Sequence, residues 1–226
     1  MDIIYKGKKM CSIVASFKKE KLQELIEKNQ FRGNFSYSYT ELEDNGAPTA
    51  QLKGFGEFPP KIIREEKYKI SHVQAPTGGM LKDCKRIHPT EINLSMLWHN
   101  GLITPKGVKF LQKEVEVEED FDTLLLHKFI EKYNFNFEKL SEVEGLFSCV
   151  MLVVDQLYLF RTKHGQLWID EDMNISSIEF KNSVCIPYDK VYEVDLKNKK
   201  LIEVSSFKTK RYNIIINSSN KFEELL

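Results

Sequence analysis

The sequence lacks any long apolar run and any excess of charge of one sign. No segment of the 226 residues approaches the roughly 18 consecutive apolar residues that a membrane-spanning helix needs. Lysine and arginine total 33, as do aspartate and glutamate, so the formal net charge is zero. Without a dominant basic field, we expect neither a nucleic acid nor an anionic membrane as partner.

Cysteine is also scarce and scattered. Cys11, Cys84, Cys149 and Cys185 show no Cys-x-x-Cys spacing, so the sequence indicates neither a metal site nor a disulfide framework. A reduced protein in the cytoplasm is therefore the expectation. The first six residues are not followed by the apolar segment of a signal peptide. The length allows one large domain or two small ones.

What the sequence does contain is a cysteine at the head of an apolar, β-branched run. Residues 11–17 predict a strand, and residues 18–29 predict a helix with one apolar face. Cys11 has two interpretations at this point. A free cysteine is among the most buried residue types, which favours core packing. A cysteine that begins a strand is also placed to act as a nucleophile.

Further motifs follow in order along the chain. They are Arg32-Gly33, then His72-Val73-Gln74 with Thr77 and Gly79, then His99-Asn100-Gly101, and then Asp122-Thr123. Each motif has an ordinary structural interpretation as well. These are a turn after a helix, a core histidine whose hydrogen bonds are satisfied, a hairpin turn at Asn-Gly and a helix N-cap at the aspartate.

The segment after Gly101 argues against the hairpin. Residues 92–101 predict an alternating strand that ends in His-Asn-Gly, and residues 102–107 do not resemble a returning strand. Instead, Thr104 is expected to cap a helix that begins at Pro105. Residues 41–60 contain Asn45-Gly46 and several prolines, so we expect a loop there.

Together the motifs resemble those of class II glutamine amidotransferases, a family of N-terminal nucleophile hydrolases. Met10-Cys11-Ser12-Ile13-Val14 is similar to the family's Met-Cys-Gly-Ile-Val opening, and the resemblance spans about residues 10–205. It implies an α+β fold, a four-layer αββα sandwich of two stacked, mainly antiparallel sheets. It also implies a single amidotransferase domain over residues 11–226, preceded by a leader, residues 1–10. This leader is expected to be removed, unless translation starts at Met10.

The resemblance also implies roles for individual residues. Cys11 would attack the side-chain amide of glutamine, and its own freed α-amino group, with a pKa of about 7.7–8.0, would be the base. Asn100 and Gly101 would form the oxyanion hole. The implied substrate-binding residues are Arg32, His72, Gln74, Thr77, His99 and Asp122, where Asp122 receives the α-ammonium and Arg32 helps to hold the nucleophile. No cofactor is implied, and either a separate synthase receives the ammonia or the reaction is simple hydrolysis.

One departure from the family pattern bears on the substrate. Gln74 stands where the family has the arginine that pairs with the substrate's α-carboxylate. Losing that charge-assisted contact costs on the order of 1.5–3 kcal/mol. Either a nearby cation (Lys82, Lys85 or Arg86) replaces it, or the substrate is a different amide, such as a γ-glutamyl compound or a peptide N-terminus. A catalytically inactive binding module with the same fold is the remaining alternative.

Overall fold

The computed structural model describes residues 10–64, 67–75, 83–210, 214–216 and 222–224. The strands, in chain order, are β1 (Ser12–Ser16), β2 (Ser36–Leu42), β3 (Pro48–Phe55), β4 (Tyr68–Gln74), β5 (Thr90–Ile92), β6 (Ser95–Ile103), β7 (Gly145–Val153), β8 (Gln156–Arg161), β9 (Trp168–Ile169), β10 (Ile175–Ser176), β11 (Val184–Cys185), β12 (Lys190–Asp195), β13 (Lys200–Ser206), β14 (Ile214–Ile216) and β15 (Phe222–Glu224). The α-helices are α1 (Lys19–Asn29), α2 (Pro105–Val115) and α3 (Asp122–Lys132). Short 3₁₀ helices cover Pro60–Ile62, Cys84–Arg86 and Phe137–Glu142.

Two antiparallel sheets dominate the described chain. The first has the order β11-β9-β10-β1-β4-β2-β3, and the second has the order β13-β12-β8-β7-β6-β5. β14 and β15 form a separate pair. In the first sheet, β1 lies beside β4 in a register that pairs Ile13 with His72. In the second, β6 pairs with β7 along its whole length, from Ser95 opposite Val153 to Ile103 opposite Gly145.

The two sheets stack face to face around a shared apolar core. Ile13, Ala15 and Ile70 of the first sheet pack in one buried cluster with Trp98, Val150 and Leu159 of the second. Because successive side chains of a strand point to opposite faces, Val14 faces the other way and packs on Leu22, Leu25 and Ile26 of α1. On the far side, α2 and α3 cover the second sheet through Leu111, Leu125 and Phe129. The predicted α+β, four-layer αββα sandwich is therefore confirmed.

Local sequence explains where the helices near the site begin. α1 starts one residue later than the predicted 18–29 segment and ends at the predicted residue. α2 begins as predicted, because the Thr104 hydroxyl accepts a hydrogen bond from the Gly107 N–H at 3.0 Å and Pro105 occupies the first helical position. α3 differs from the expectation, since Phe121 and not Asp122 is the N-cap residue. The Glu119 carboxylate instead accepts from the N–H groups of Asp120 and Phe121, each at 2.9 Å.

Two other predictions are wrong. Residues 41–60 are not mainly loop, because β2 runs to Leu42 and β3 returns from Pro48 as its hairpin partner. β3 is the edge strand of its sheet, and an edge strand tolerates a proline at its first residue. The strand that carries His-Asn-Gly also does not end there, since β6 continues to Ile103 against β7.

A buried histidine on α3 joins that helix to the strands beneath it. His127 Nδ1 lies 2.8 Å from Thr90 Oγ1 of β5, and His127 Nε2 lies 2.7 Å from Ser95 Oγ of β6. Ser95 in turn donates to the Glu131 carboxylate at 2.5 Å. These bonds fix the start of β6 against α3. No helix within the described ranges is both long and apolar enough to span a bilayer.

Burial of His127 makes stability depend on pH. Burial lowers the pKa of His127 from 6.5 to about 4, opposed by the charge of Glu131. The unfolded chain therefore binds the extra proton between pH 6.5 and 4, and the free energy of unfolding falls as the pH is lowered through that window. At about 1.4 kcal/mol per pKa unit, this histidine accounts for roughly 3 kcal/mol.

We expect His127→Gln to reduce this pH dependence, because the variant has no imidazole at position 127, although the buried imidazoles of His72, His88 and His99 still contribute. Urea unfolding followed at pH 7, 6, 5 and 4.5 measures the slope in each protein. His164→Gln, at an exposed position, is the matched control. A His127→Gln slope equal to that of the unaltered protein would contradict this account.

Candidate active site

Cys11 lies directly before β1, on the face of the first sheet that looks toward the second. It continues the alternation of Ile13 and Ala15, which both point into the core between the sheets. Its Sγ lies 3.7 Å from the Ala75 carbonyl oxygen at the end of β4. The side chain is only partly buried and borders a cavity of about 200 Å³. The cysteine is therefore placed at the head of a central strand, with access to a cavity.

The cavity brings together residues from separate motifs. Of the predicted site residues, Cys11, Gln74, His99, Gly101 and Asp122 line it. Its size is below the ~300–1,000 Å³ of pockets that hold drug-sized ligands. The space therefore suits a small ligand, about the size of an amino acid.

The strand β6 presents backbone N–H groups to this cavity. The His99 N–H donates to His88 Nδ1 at 3.2 Å, and the Ile103 N–H donates to Asp122 Oδ2 at 3.3 Å. Alternate residues of a strand direct their N–H groups to the same edge, so the Gly101 N–H points to that edge, between His88 and Asp122.

The pairing of β6 with β7, on its other side, supports this direction of the Gly101 N–H. Phe147 lies opposite Gly101 in β7, and both its N–H and its carbonyl bond to Thr162. They therefore point away from β6, which leaves the Gly101 backbone groups directed toward the cavity edge.

Gly101 is required by the packing of its strand. Its φ of +152° is one that other L residues rarely adopt, and a Cβ there would lie 2.0 Å from the Leu146 carbonyl oxygen. The neighbouring Asn100 is buried, and its Oδ1 has no hydrogen-bond partner among the described residues. The atom without a partner is an acceptor, and Asn100 is not among the described residues that line the cavity, so only its Nδ2 could donate to an oxyanion.

The predicted Arg-Gly turn packs directly against the end of β4. A Cβ at Gly33 would lie 2.5 Å from both the Gln74 carbonyl carbon and the Ala75 nitrogen, so only glycine fits. Arg32 is almost fully buried, and its Nε has no partner among the described residues. It does not line the cavity, but its positive charge acts on the Cys11 thiol from behind.

The surroundings of Cys11 disfavour its thiolate in the uncleaved chain. Burial raises the pKa of the Cys11 thiol to about 12. The Ala75 contact and the charge of Arg32 lower this pKa, whereas the charge of Asp122 raises it further. Because the thiolate is the reactive form, Cys11 in this state is a weak nucleophile near neutral pH.

Three buried histidines stand in contact behind and beside the cavity. His72 Nε2 donates to the His99 carbonyl oxygen at 3.2 Å, and the His72 ring stacks on His88 with centroids 4.0 Å apart. His99 Nδ1 lies 2.9 Å from Thr123 Oγ1. Burial lowers the pKa of His72 to about 3, and it also lowers the pKa values of His88 and His99. All three imidazoles are therefore neutral at pH 7, and His72 supports the site without lining the cavity.

Cys11 and two of the histidines form a cluster of atoms that could ligate a metal ion. The donor atoms of Cys11, His72 and His88 lie within 4.8 Å of one another, which the sequence did not indicate. The two rings are nearly parallel, at 20°, so their in-plane lone pairs do not converge on one point. His88 Nδ1 is also already used as the acceptor of the His99 N–H. The cluster is therefore poorly arranged to hold an ion.

Gln74 and Asp122 both line the cavity, but their side chains are held differently. Gln74 Oε1 accepts from the Ser36 hydroxyl at 2.7 Å, and its Nε2 donates to the Arg86 carbonyl at 3.1 Å. Its amide thus ties β4 to β2 and to the segment that carries Arg86. Asp122, at the first turn of α3, directs its carboxylate to the cavity.

Sequence reasoning missed part of the cavity lining. Arg86 had been considered only as a replacement cation, and His88, Asp120, Phe121 and Thr123 were not proposed as site residues. Thr123 had a signal, since it follows Asp122 within the matched Asp-Thr pair. Thr77, which the sequence placed in the site, lies outside the described residues.

Two stacked antiparallel sheets, covered by helices on both outer faces, form a four-layer sandwich with a cysteine at the head of a central strand. Comparison with solved structures agrees. The chain is similar to the glutamine phosphoribosylpyrophosphate (PRPP) amidotransferase from B. subtilis complexed with ADP and GMP, with a TM-score of 0.64 and 14% identity over 86% of this chain. A second match is a structure described as the allosteric regulatory enzyme of purine biosynthesis, with a TM-score of 0.60 and 12% identity over 86% of this chain.

The matches establish the fold. The chain spans 48% of the length of each of these two solved chains. No protein-family model matches the sequence, and a search of curated proteins found no match. The resemblance to the amidotransferase domain is thus confirmed at the level of three-dimensional structure.

We expect Gly101→Ala to destabilise the protein by several kcal/mol, because the added Cβ would meet the Leu146 carbonyl at 2.0 Å and force β6 away from β7. Gly56→Ala is the control. Gly56 also has a positive φ, but nothing lies within 4 Å of its Cβ position, so its cost is limited to about 1–2 kcal/mol of backbone strain. Urea unfolding measures both. Equal losses in the two variants would show that the contact with β7 is not tight.

Proposed function

We propose that this protein is an amidohydrolase of the glutamine amidotransferase type, with Cys11 as its nucleophile. The observation that carries the proposal is the shared cavity. The Cys11 thiol, the strand edge that bears the Gly101 N–H and the Asp122 carboxylate all border it. A nucleophile, oxyanion donors and an acceptor for an ammonium group are the parts that hydrolysis of an amino-acid amide requires.

The reaction proceeds in two steps. In the first, Cys11 Sγ attacks the carbonyl carbon of the side-chain amide, and the oxyanion receives hydrogen bonds from the Gly101 N–H and the Asn100 side-chain amide. The C–N bond breaks, the thiol proton passes to the leaving nitrogen, and ammonia departs from a thioester. In the second step, water attacks the thioester, which yields a carboxylic acid and restores the thiol. Each oxyanion donor contributes about 2.7–4 kcal/mol to lowering the barrier.

Removal of residues 1–10 is part of the proposal. While Cys11 is preceded by Met10, its nitrogen is an amide and cannot accept a proton. Once Cys11 is the first residue, its α-amine, with a pKa of about 7.7–8.0, can take the thiol proton and deliver it to the leaving ammonia. The base is then attached to the nucleophile itself, so no separate group has to be positioned. Residues 11–226 form the working domain in this scheme.

The fate of the released ammonia is a further part of the proposal. The two solved structures that match are about twice as long as the part this chain covers. We propose that a separate synthase accepts the ammonia, or else that water alone resolves the thioester. The cytoplasmic location stays a prediction, supported by four cysteines that are free thiols.

One observation favours a second candidate function, an inactive binding module. With the leader attached, the pKa of the Cys11 thiol is raised to about 12, mainly by burial. A protein that is never cleaved before Cys11 would keep that unreactive thiol, and the cavity would then bind a small molecule without turning it over. The state of the N-terminus separates the two candidates.

We expect a glutamine-analogue electrophile to label the chain that begins at Cys11 and to leave the uncleaved chain unlabelled. The first form is obtained by site-specific proteolysis of a fusion that exposes Cys11, and intact mass reports the adduct. Cys11→Ala abolishes labelling, whereas Cys84→Ala, which removes an exposed thiol, does not. Absence of any adduct on the cleaved form would favour the binding module.

The pH dependence of alkylation tests the role of the α-amine. In the uncleaved chain, the iodoacetamide reaction of Cys11 should accelerate about tenfold per pH unit through pH 10 without levelling off, because the thiol pKa is about 12. In the cleaved chain the new ammonium stabilises the thiolate, so the rate should level off at a lower pH and exceed that of the uncleaved chain at least tenfold at pH 8. Variants lacking Cys84 and Cys185 keep the signal on Cys11. Superimposable profiles would contradict the proposed base.

A further inference from the structure

The described side chains that border the cavity carry more negative charge than positive charge. Among the described lining residues, the charged side chains are Arg86, Asp120 and Asp122. His88 and His99 add no charge at neutral pH, because burial lowers the pKa values of both imidazoles. The described wall of the cavity thus carries more negative charge than positive charge.

The positive charge of Arg86 is already neutralised. Its Nη2 donates to Glu119 Oε1 at 3.2 Å and also to Asp120 Oδ1. The guanidinium lies over the Phe121 ring, 6.0 Å from its centroid. Two carboxylates share this single cation, so a third carboxylate brought by a ligand would meet repulsion as well as attraction.

Gln74 does not supply the missing charge. Its amide is neutral and is held by the Ser36 hydroxyl and the Arg86 carbonyl. A neutral amide favours a neutral carbonyl over a carboxylate, because it gives a hydrogen bond without the charge assistance that offsets the desolvation of an ion.

Asp122, by contrast, is a carboxylate with room for a cation. Among the described residues, its Oδ2 accepts a long hydrogen bond from the Ile103 N–H, at 3.3 Å, and its Oδ1 accepts one from the Thr123 hydroxyl, at 3.4 Å. His99 Nδ1 lies 3.9 Å from Oδ1, and this imidazole is neutral. The Asp122 side chain is 22% exposed, so the carboxylate is open to the cavity.

From this charge pattern we propose that the substrate is an α-ammonium amide without a free α-carboxylate. Its chemical class is glutamine whose own carboxyl group is already in an amide or peptide bond, as at the N-terminus of a peptide. Asp122 binds the ammonium, and the neutral carbonyl of the blocked carboxyl group lies on the Gln74 and Arg86 side. This inference rests on the proposed amidohydrolase function and specifies its substrate.

Three small amides test the contributions of the substrate's ammonium and carboxylate groups independently. L-glutamine carries both charges, its α-N-methylamide carries only the ammonium, and N-acetyl-L-glutamine carries only the carboxylate. Each has a single primary amide, so the released ammonia comes from the side chain. With the chain that begins at Cys11, we expect kcat/KM to be at least tenfold higher for the N-methylamide than for L-glutamine, and lowest for the N-acetyl compound.

Variants of the protein test which side chains cause the preference for the N-methylamide over L-glutamine. Asp122→Asn should reduce kcat/KM for the N-methylamide at least tenfold and raise it for the N-acetyl compound, because the variant removes a carboxylate that repels the carboxylate of that ligand and raises the pKa of the Cys11 thiol. The double variant Glu119→Gln with Asp120→Asn releases Arg86 from its carboxylates, so the preference over L-glutamine should shrink. Glu118→Gln, at an exposed neighbouring position, removes one negative charge outside the cavity and is the control.

A binding measurement distinguishes failure of this inference from failure of the proposed function. Cys11→Ala does not turn over, so its Tm with each amide reports binding alone, and the N-methylamide should raise the Tm more than L-glutamine does. If L-glutamine is hydrolysed and bound at least as well as the N-methylamide, the inferred substrate class is wrong and the amidohydrolase stands. If the cleaved chain releases no ammonia but Cys11→Ala prefers the N-methylamide, the charge preference stands and the proposed hydrolysis fails.

Discussion

The site depends on one open strand edge. β5 covers β6 only from Ser95 to Leu97, so the N–H groups farther along β6 have no strand beside them within the described part of the chain. Two side chains take the place of that strand, His88 at the His99 N–H and Asp122 at the Ile103 N–H. The Gly101 N–H between them is the donor left facing the cavity. Unpaired donors in a protected edge are a ready binding site for developing negative charge.

The rigidity of that edge comes from the sandwich around it. Trp98 is fully buried between the sheets, and Gly101 lies so close to β7 that no side chain fits. From the helical side, His127 and Glu131 hold the start of β6 through Ser95. A donor array is useful only if it does not have to reorganise when charge forms. Core packing and buried hydrogen bonds therefore hold β6 in place for the proposed reaction.

Much of this arrangement could be predicted from the sequence, and the failures have physical causes. The β1–α1 unit and the Thr104 cap depend on local patterns, and both were found close to their predicted bounds. The β2–β3 hairpin was missed because Pro48 predicts a break, and only the position of β3 at a sheet edge makes a proline compatible with a strand. Asn45-Gly46 lies in the turn between the two strands, where an Asn-Gly pair is favoured. His88 was missed because its role comes from a contact with β6 across a sheet edge. Pairing between distant segments leaves no periodic trace in sequence.

Electrostatics connects the nucleophile to the ligand through a single carboxylate. Asp122 lies near enough for its charge to raise the pKa of the Cys11 thiol, and burial does so more strongly. Within the proposed reaction, an ammonium bound at Asp122 cancels that negative charge and removes its penalty on the thiolate. A ligand that also brings a carboxylate would restore part of the penalty. In the proposed reaction Asp122 therefore acts on two steps, because it binds the cationic amide and no longer raises the pKa of the Cys11 thiol once that cation is bound.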